Sequence, residues 1–161
     1  MELKEIIEAP KTVTSYGTWK CGTVPKAIFP LRKRKLQQSS EWFWRVVEFN
    51  ALDEKFIVLI RLNEQIQEYY AYLGHMREDG MAVICSHDLH VSHKNWHCHF
   101  IRGDVTRVDT GYLRDRENMI YFPSGGSEVE CTTVFEVTCA NALLYAAKRF
   151  RFQEPPQAEL I

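Results

Sequence analysis

Five of the six histidines in this 161-residue chain fall between His87 and His99. Imidazole does two kinds of chemistry near neutral pH: it ligates metals, or it moves protons. His97 and His99 stand two residues apart, and on a strand that spacing turns both rings to one face, about 7 Å apart at the backbone. Further donors precede them in His87, His90 and His93, with Asp88 as a carboxylate alternative. The expected metal set is therefore His87, His90, His97 and His99, holding zinc or another divalent ion. Four such ligands suit a structural zinc, and three plus a water a catalytic one. Cys98 falls on the opposite face of the strand and is a poor partner for the pair. Neither H-x-x-x-H nor C-x-x-C occurs, so the spacing permits a metal without dictating one.

The same residues suit metal-free phosphodiester cleavage. One imidazole would take the 2′-hydroxyl proton of RNA and another would protonate the leaving oxygen, which makes His93, His97 and His99 the candidate catalytic residues. Cations would hold the phosphate: Lys94, Arg102, and the acid-free run Arg32, Lys33, Arg34 and Lys35. Trp42, Trp44, Tyr69 and Tyr70 are candidate stacking surfaces for bases. Each of these features has a plainer counterpart. A single histidine such as His75 is ordinarily a hydrogen-bonded structural residue, a basic run is ordinarily a solvated loop, and ring-rich strands are ordinarily core.

The elements that must position these side chains follow from periodicity. Leu3, Ile6 and Ile7 give a short amphipathic helix over 2–8, stopped by Pro10. Residues 12–30 carry Gly17, Gly22, Pro25 and Pro30 among β-formers and read as short extended pieces joined by turns; a basic loop or short helix follows at 31–39. Aromatic and β-branched runs predict strands at 41–49, 55–62, 81–85 and 96–101, with turns at 50–54 and at Asn63-Glu64; 65–73 fits both a strand and a helix period and is read as a strand. His87, His90 and His93 then lie on a polar connection between the last two strands. Residues 111–128 read as a long excursion, and 139–150 as a helix with an apolar stripe suited to lying across a sheet. Short links imply an antiparallel meander. The expected fold is α+β: an antiparallel sheet of about five strands, a short N-terminal helix, and a C-terminal helix packed on the sheet.

The totals set outer bounds. The length suits one domain, expected over 1–152, with a tail at 153–161. An apolar content of 45% with a net charge of −1 excludes the composition of a disordered chain; that charge says nothing in favour of a dedicated nucleic-acid coat and leaves room for a local basic patch. No run reaches the roughly 18 apolar residues of a membrane span, and the charged N-terminus is no signal peptide, so a soluble cytoplasmic protein without a membrane partner is expected. Five scattered cysteines are an odd number without close pairs, and read as mostly buried free thiols.

Strands followed by the pattern H-x-x-H-x-N-W-H-x-H, between about Lys55 and Phe100, resemble small bacterial histidine-rich proteins of the toxin–antitoxin type, several of them suspected ribonucleases. That resemblance covers under a third of the chain. It implies an RNase-like or toxin-like nucleic-acid-processing enzyme with RNA as substrate and an antitoxin as protein partner, and points to His93, His97 and His99. Two alternatives stand beside it. One is a non-enzymatic zinc-binding domain; the other is a phage- or plasmid-encoded inhibitor whose histidines form only a polar surface.

Overall fold

The computed structural model describes residues 1–31, 40–90, 93–113, 117–122 and 136–156 and, of residues 93–95, the backbone alone. In chain order the elements are α1 (Leu3–Glu8), β1 (Thr12–Ser15), β2 (Lys20–Cys21), β3 (Phe43–Ala51), β4 (Glu54–Asn63), β5 (Glu68–Arg77), β6 (Gly80–His90), β7 (His93–Ile101), β8 (Met119–Phe122) and α2 (Cys139–Phe150). A short 3-10 turn, Val105–Arg107, follows β7. The basic residues Arg32, Lys33, Arg34 and Lys35 lie outside the described residues.

The apolar runs of the sequence become the five long strands β3 to β7, each paired antiparallel with its sequence neighbour. Leu52 and Asp53 make the β3–β4 turn with φ of 51° and 61°. That left-handed pair matches the twist of the two strands it joins. Asn63 closes the next turn by accepting the amides of Gln65 and Ile66 at 3.0 and 3.3 Å, the local bond that favours asparagine in turns.

The sheet has eight strands, in the order β1-β3-β4-β5-β6-β7-β8 with β2 also against β3. This corrects the expectation of about five. The additions are short: β1 and β2 fall in the segment read as extended pieces, and β8 in the segment read as an excursion. Four residues or fewer carry too little periodicity to announce a strand. Their pairing to β3 and β7 is supplied by the rest of the sheet. A second correction concerns the histidine segment. It is not a connection but the continuation of two strands, for β6 runs to His90 and β7 starts at His93.

Both faces of the central strands are covered, and β4 is buried from Phe56 through Asn63. On one face lies α2, whose buried side is Ala142, Leu143, Ala146, Ala147 and Phe150. The Tyr69 hydroxyl donates to the Ala142 carbonyl at 3.4 Å. Beyond the helix, Phe152 rests on Phe49 at 6.1 Å between ring centroids, and the Tyr16 hydroxyl donates to the Gln153 carbonyl at 2.9 Å. Phe29 packs on the other face against Tyr72. Each fully buried Phe, Leu or Ile contributes roughly 1.5–3 kcal/mol. No helix among the described residues is long and apolar enough to cross a membrane.

Candidate metal centre

Residues paired across an antiparallel sheet present their side chains to the same face. The register therefore lays out two rows on the face opposite α2. One runs Arg61, Tyr70, Asp88, His97 over β4 to β7, and the next runs Leu59, Tyr72, Ser86, His99, Tyr121 over β4 to β8. Asp88, His97 and His99 meet where these rows adjoin, and their ligand atoms all lie within 4.8 Å of one another. Asp88 Oδ2 stands 3.3 Å from His99 Nε2, 4.0 Å from His97 Nε2, and accepts the Ser86 hydroxyl at 3.0 Å.

The carboxylate is the deepest member, with its side chain 9% exposed against 11% for His97 and 18% for His99. Burial raises the Asp88 carboxyl to about 7, against the lowering effects of the Ser86 hydrogen bond and the Arg61 charge. Its second oxygen, Oδ1, is buried without a hydrogen-bond partner among the described residues. An unsatisfied buried oxygen costs free energy that a cation would recover. Ligands on a tetrahedral metal stand about 3.4 Å apart at the usual 2.0–2.2 Å bond lengths.

His90 reaches the same neighbourhood. A register shift between Asp88 and His90 carries its ring to 4.8 Å from that of His97, where it also stacks on Tyr70 at 5.8 Å. His87 does not join them. It faces α2, with its ring 4.8 Å from Trp96 and 6.1 Å from Tyr69. Burial first, then the positive charges of Arg149 and of His97, lower its imidazole to about 3. It is a neutral, half-buried histidine on the helix-covered face, because the strand alternates faces at each residue where a loop would not.

Cys98 lies opposite His87 in the register and on the same face, as its position between the two histidines predicts. Burial pushes the Cys85 thiol up to about 12 and raises that of Cys98 as well, so both stay protonated and are poor nucleophiles. The side chains of His93 and Lys94 lie outside the described residues. Arg102 is exposed three residues past His99, where its amide donates to the Asn118 carbonyl at 2.7 Å. No described contact joins it to the cluster.

Sequence reasoning missed Arg61. It is 2% exposed, and its guanidinium lies 4.9 Å from the Trp42 ring and 5.6 Å from the Tyr70 ring. A lone charge inside the apolar run 56–62 was the available signal, since a strand buried on both faces does not keep an arginine without a use for it.

The molecule is thus an α+β protein built on an antiparallel meander, with two imidazoles and one carboxylate gathered on the face away from its C-terminal helix. No family model, curated protein or solved structure matches the chain.

Proposed function

We propose that Asp88, His97 and His99 bind one divalent transition metal, with zinc the first to test, and that water on this metal cleaves a phosphodiester, with RNA as the first substrate to try. The observation that carries the reading is the approach of three ligand atoms to within 4.8 Å around a buried carboxylate. Three protein ligands leave a position for water, whose pKa a bound zinc lowers to about 7. Asp88, His97 and His99 would hold the ion, which would supply Lewis acidity and an activated water for hydrolysis of the ester P–O bond, the proton released by that water passing to the leaving oxygen. In this form His97 and His99 are ligands rather than the acid and base. The toxin-like character and the antitoxin partner rest on the sequence resemblance alone.

Metal content of the purified, untagged protein, measured by plasma mass spectrometry, tests the reading. One transition metal per chain is expected, lost in His97→Ala/His99→Ala, together with metal-dependent cleavage of RNA or of an activated phosphodiester. Metal-free protein, or a double variant that keeps its metal, would sink it.

A structural zinc is the second reading, favoured by the His90 ring at 4.8 Å from His97, which offers a fourth ligand. Chelation would then lower the melting temperature of a protein that hydrolyses nothing, because metal bound only to the folded state adds to folding free energy.

A further inference from the structure

We infer that Tyr121 is a substrate-binding residue of the metal centre, offering its exposed ring to the base of a nucleotide whose phosphate lies at Asp88, His97 and His99. This deepens the metal reading and rests on it. Tyr121 faces His99 across the β7–β8 register, at the end of the row that runs through Tyr72, Ser86 and His99. The two rings lie 4.4 Å apart between centroids, at 68° to one another. In such an edge-to-face pair one ring gives an edge and the other gives one face. Whichever part Tyr121 takes, His99 leaves at least one face of the phenol ring unused.

The two rows through the ligands hold three tyrosines, and they differ in what covers them. Tyr72 is 6% exposed and packs against Phe29 at 6.0 Å and Tyr112 at 6.5 Å. Tyr70 is half-buried among Trp42, Tyr72 and His90, with its hydroxyl donating to the Glu68 carboxylate at 3.3 Å. Tyr121 is 51% exposed on β8, at the end of the strand order, and His99 is its ring contact among the described residues. An exposed ring keeps apolar surface in water that a second ring would cover. Any nucleobase can do so, because each has a π-face. The imidazole that Tyr121 abuts is a proposed ligand, so a base laid on the phenol ring carries its own phosphate beside the ligand set. A bare phosphate gains nothing from this ring. Phe122, 61% exposed, sits opposite Cys98 in the register and therefore on the other face of the sheet.

The test uses the full chain loaded with cobalt(II), whose visible spectrum reports the metal. Adenosine monophosphate and ribose phosphate serve as probes that share a phosphate and differ in the base. Calorimetric titration of the wild type is expected to show the adenosine compound bound about tenfold more tightly. Tyr121→Ala should abolish that preference while keeping its cobalt, whereas Tyr121→Phe and Phe122→Ala should retain it. Failure of the wild type to bind cobalt overturns this inference together with the metal reading. Cobalt bound with the two probes equal, or with neither binding, overturns this inference alone, as does a preference that survives in Tyr121→Ala. A preference lost in Phe122→Ala puts the base on the other face, and one lost in Tyr121→Phe puts it on the hydroxyl; either overturns the stacking role. Loss of cobalt from Tyr121→Ala overturns it as well, because the ring would then serve His99 rather than a substrate. Should Tyr121→Ala not fold, Tyr121→Leu decides by the same two readouts.

Discussion

The two faces of the β6–β7 hairpin are made from alternate residues of the same short stretch, yet they do opposite things with histidine. On one face Asp88, His97 and His99 converge, with a carboxylate that burial has pushed toward neutrality. On the other, His87 is pressed between Trp96, Tyr69 and the cationic end of α2, and is held neutral. Both are half-buried imidazole environments. What separates them is the company: an acid with an unsatisfied oxygen on one side, aromatic rings, thiols and an arginine on the other. Histidine abundance by itself therefore predicts little, and the neighbours across the register decide the chemistry.

The sharpest way to break this comparison is to remove ligands from one face and watch the other. His97→Ala/His99→Ala is expected to lower metal affinity at least 100-fold, more than the 10–100-fold cost of losing an outer partner of a metal ligand. Its circular dichroism spectrum should remain that of the wild type. Calorimetric titration with zinc reads the first, and an unchanged affinity would dissolve the distinction between the faces.

The next effect is in pH. The folded Asp88 carboxyl sits near 7 against an ordinary 3.8, so the folded state holds this proton more tightly than the unfolded chain. Metal-free protein then loses stability from this group as pH rises from about 4 through about 7. Asp88→Asn removes that loss, and at pH 8 should be more stable than the metal-free wild type by roughly 3–4 kcal/mol. With metal present the order reverses, because ligation needs the ionised carboxylate. His87 slopes the other way. Its folded value near 3 lies below the ordinary 6.5, so its contribution is lost as pH falls below 6.5. Denaturant melts of wild type and Asp88→Asn across pH 4 to 8 separate the two, and parallel curves would show that Asp88 is not the group responsible.

His87→Ala should cost about 2–4 kcal/mol through the cavity left beneath α2, while leaving zinc affinity unchanged. A loss of metal binding in this variant would place His87 among the ligands after all. The smallest expected effect is that of Cys98→Ser, about 1 kcal/mol from seating a hydroxyl in a buried thiol site, with metal content untouched.

How much of this was legible in the sequence differs between fold and site. The five long strands and α2 announce themselves because each contains a run of five or more residues rich in apolar, branched or aromatic side chains. The observed helix spans Cys139–Phe150, the bounds its composition suggests. The short strands do not, because β1, β2 and β8 derive their structure from the partners they join. At the site, the His97 and His99 pairing was readable from a two-residue spacing, and Asp88 as a carboxylate alternative. His87 and His90 were expected among the metal ligands on a polar connection, a set that the strand places differently, with His90 near His97 and His87 on the face toward α2. Backbone pairing to β5 and β7 keeps Ser86 to His90 in the sheet against that polarity. Arg61 went unremarked because a charge inside an apolar strand reads as a strand end until the register shows what stands beside it.

Because β3 to β7 form a meander, the ligand-bearing strands belong to one local hairpin, and Asp88 lies only nine residues from His97. Loop closure over so short a span is entropically cheap, and local pairings form early in folding. The helix that buries His87 comes almost forty residues after β7 and must return across the sheet to reach β4 and β5. The expected order of events is thus metal face first and helix face last. A nascent chain would then display Asp88, His97 and His99 before its core is sealed, so the ion proposed for this site would find its ligands in place before the helix docks.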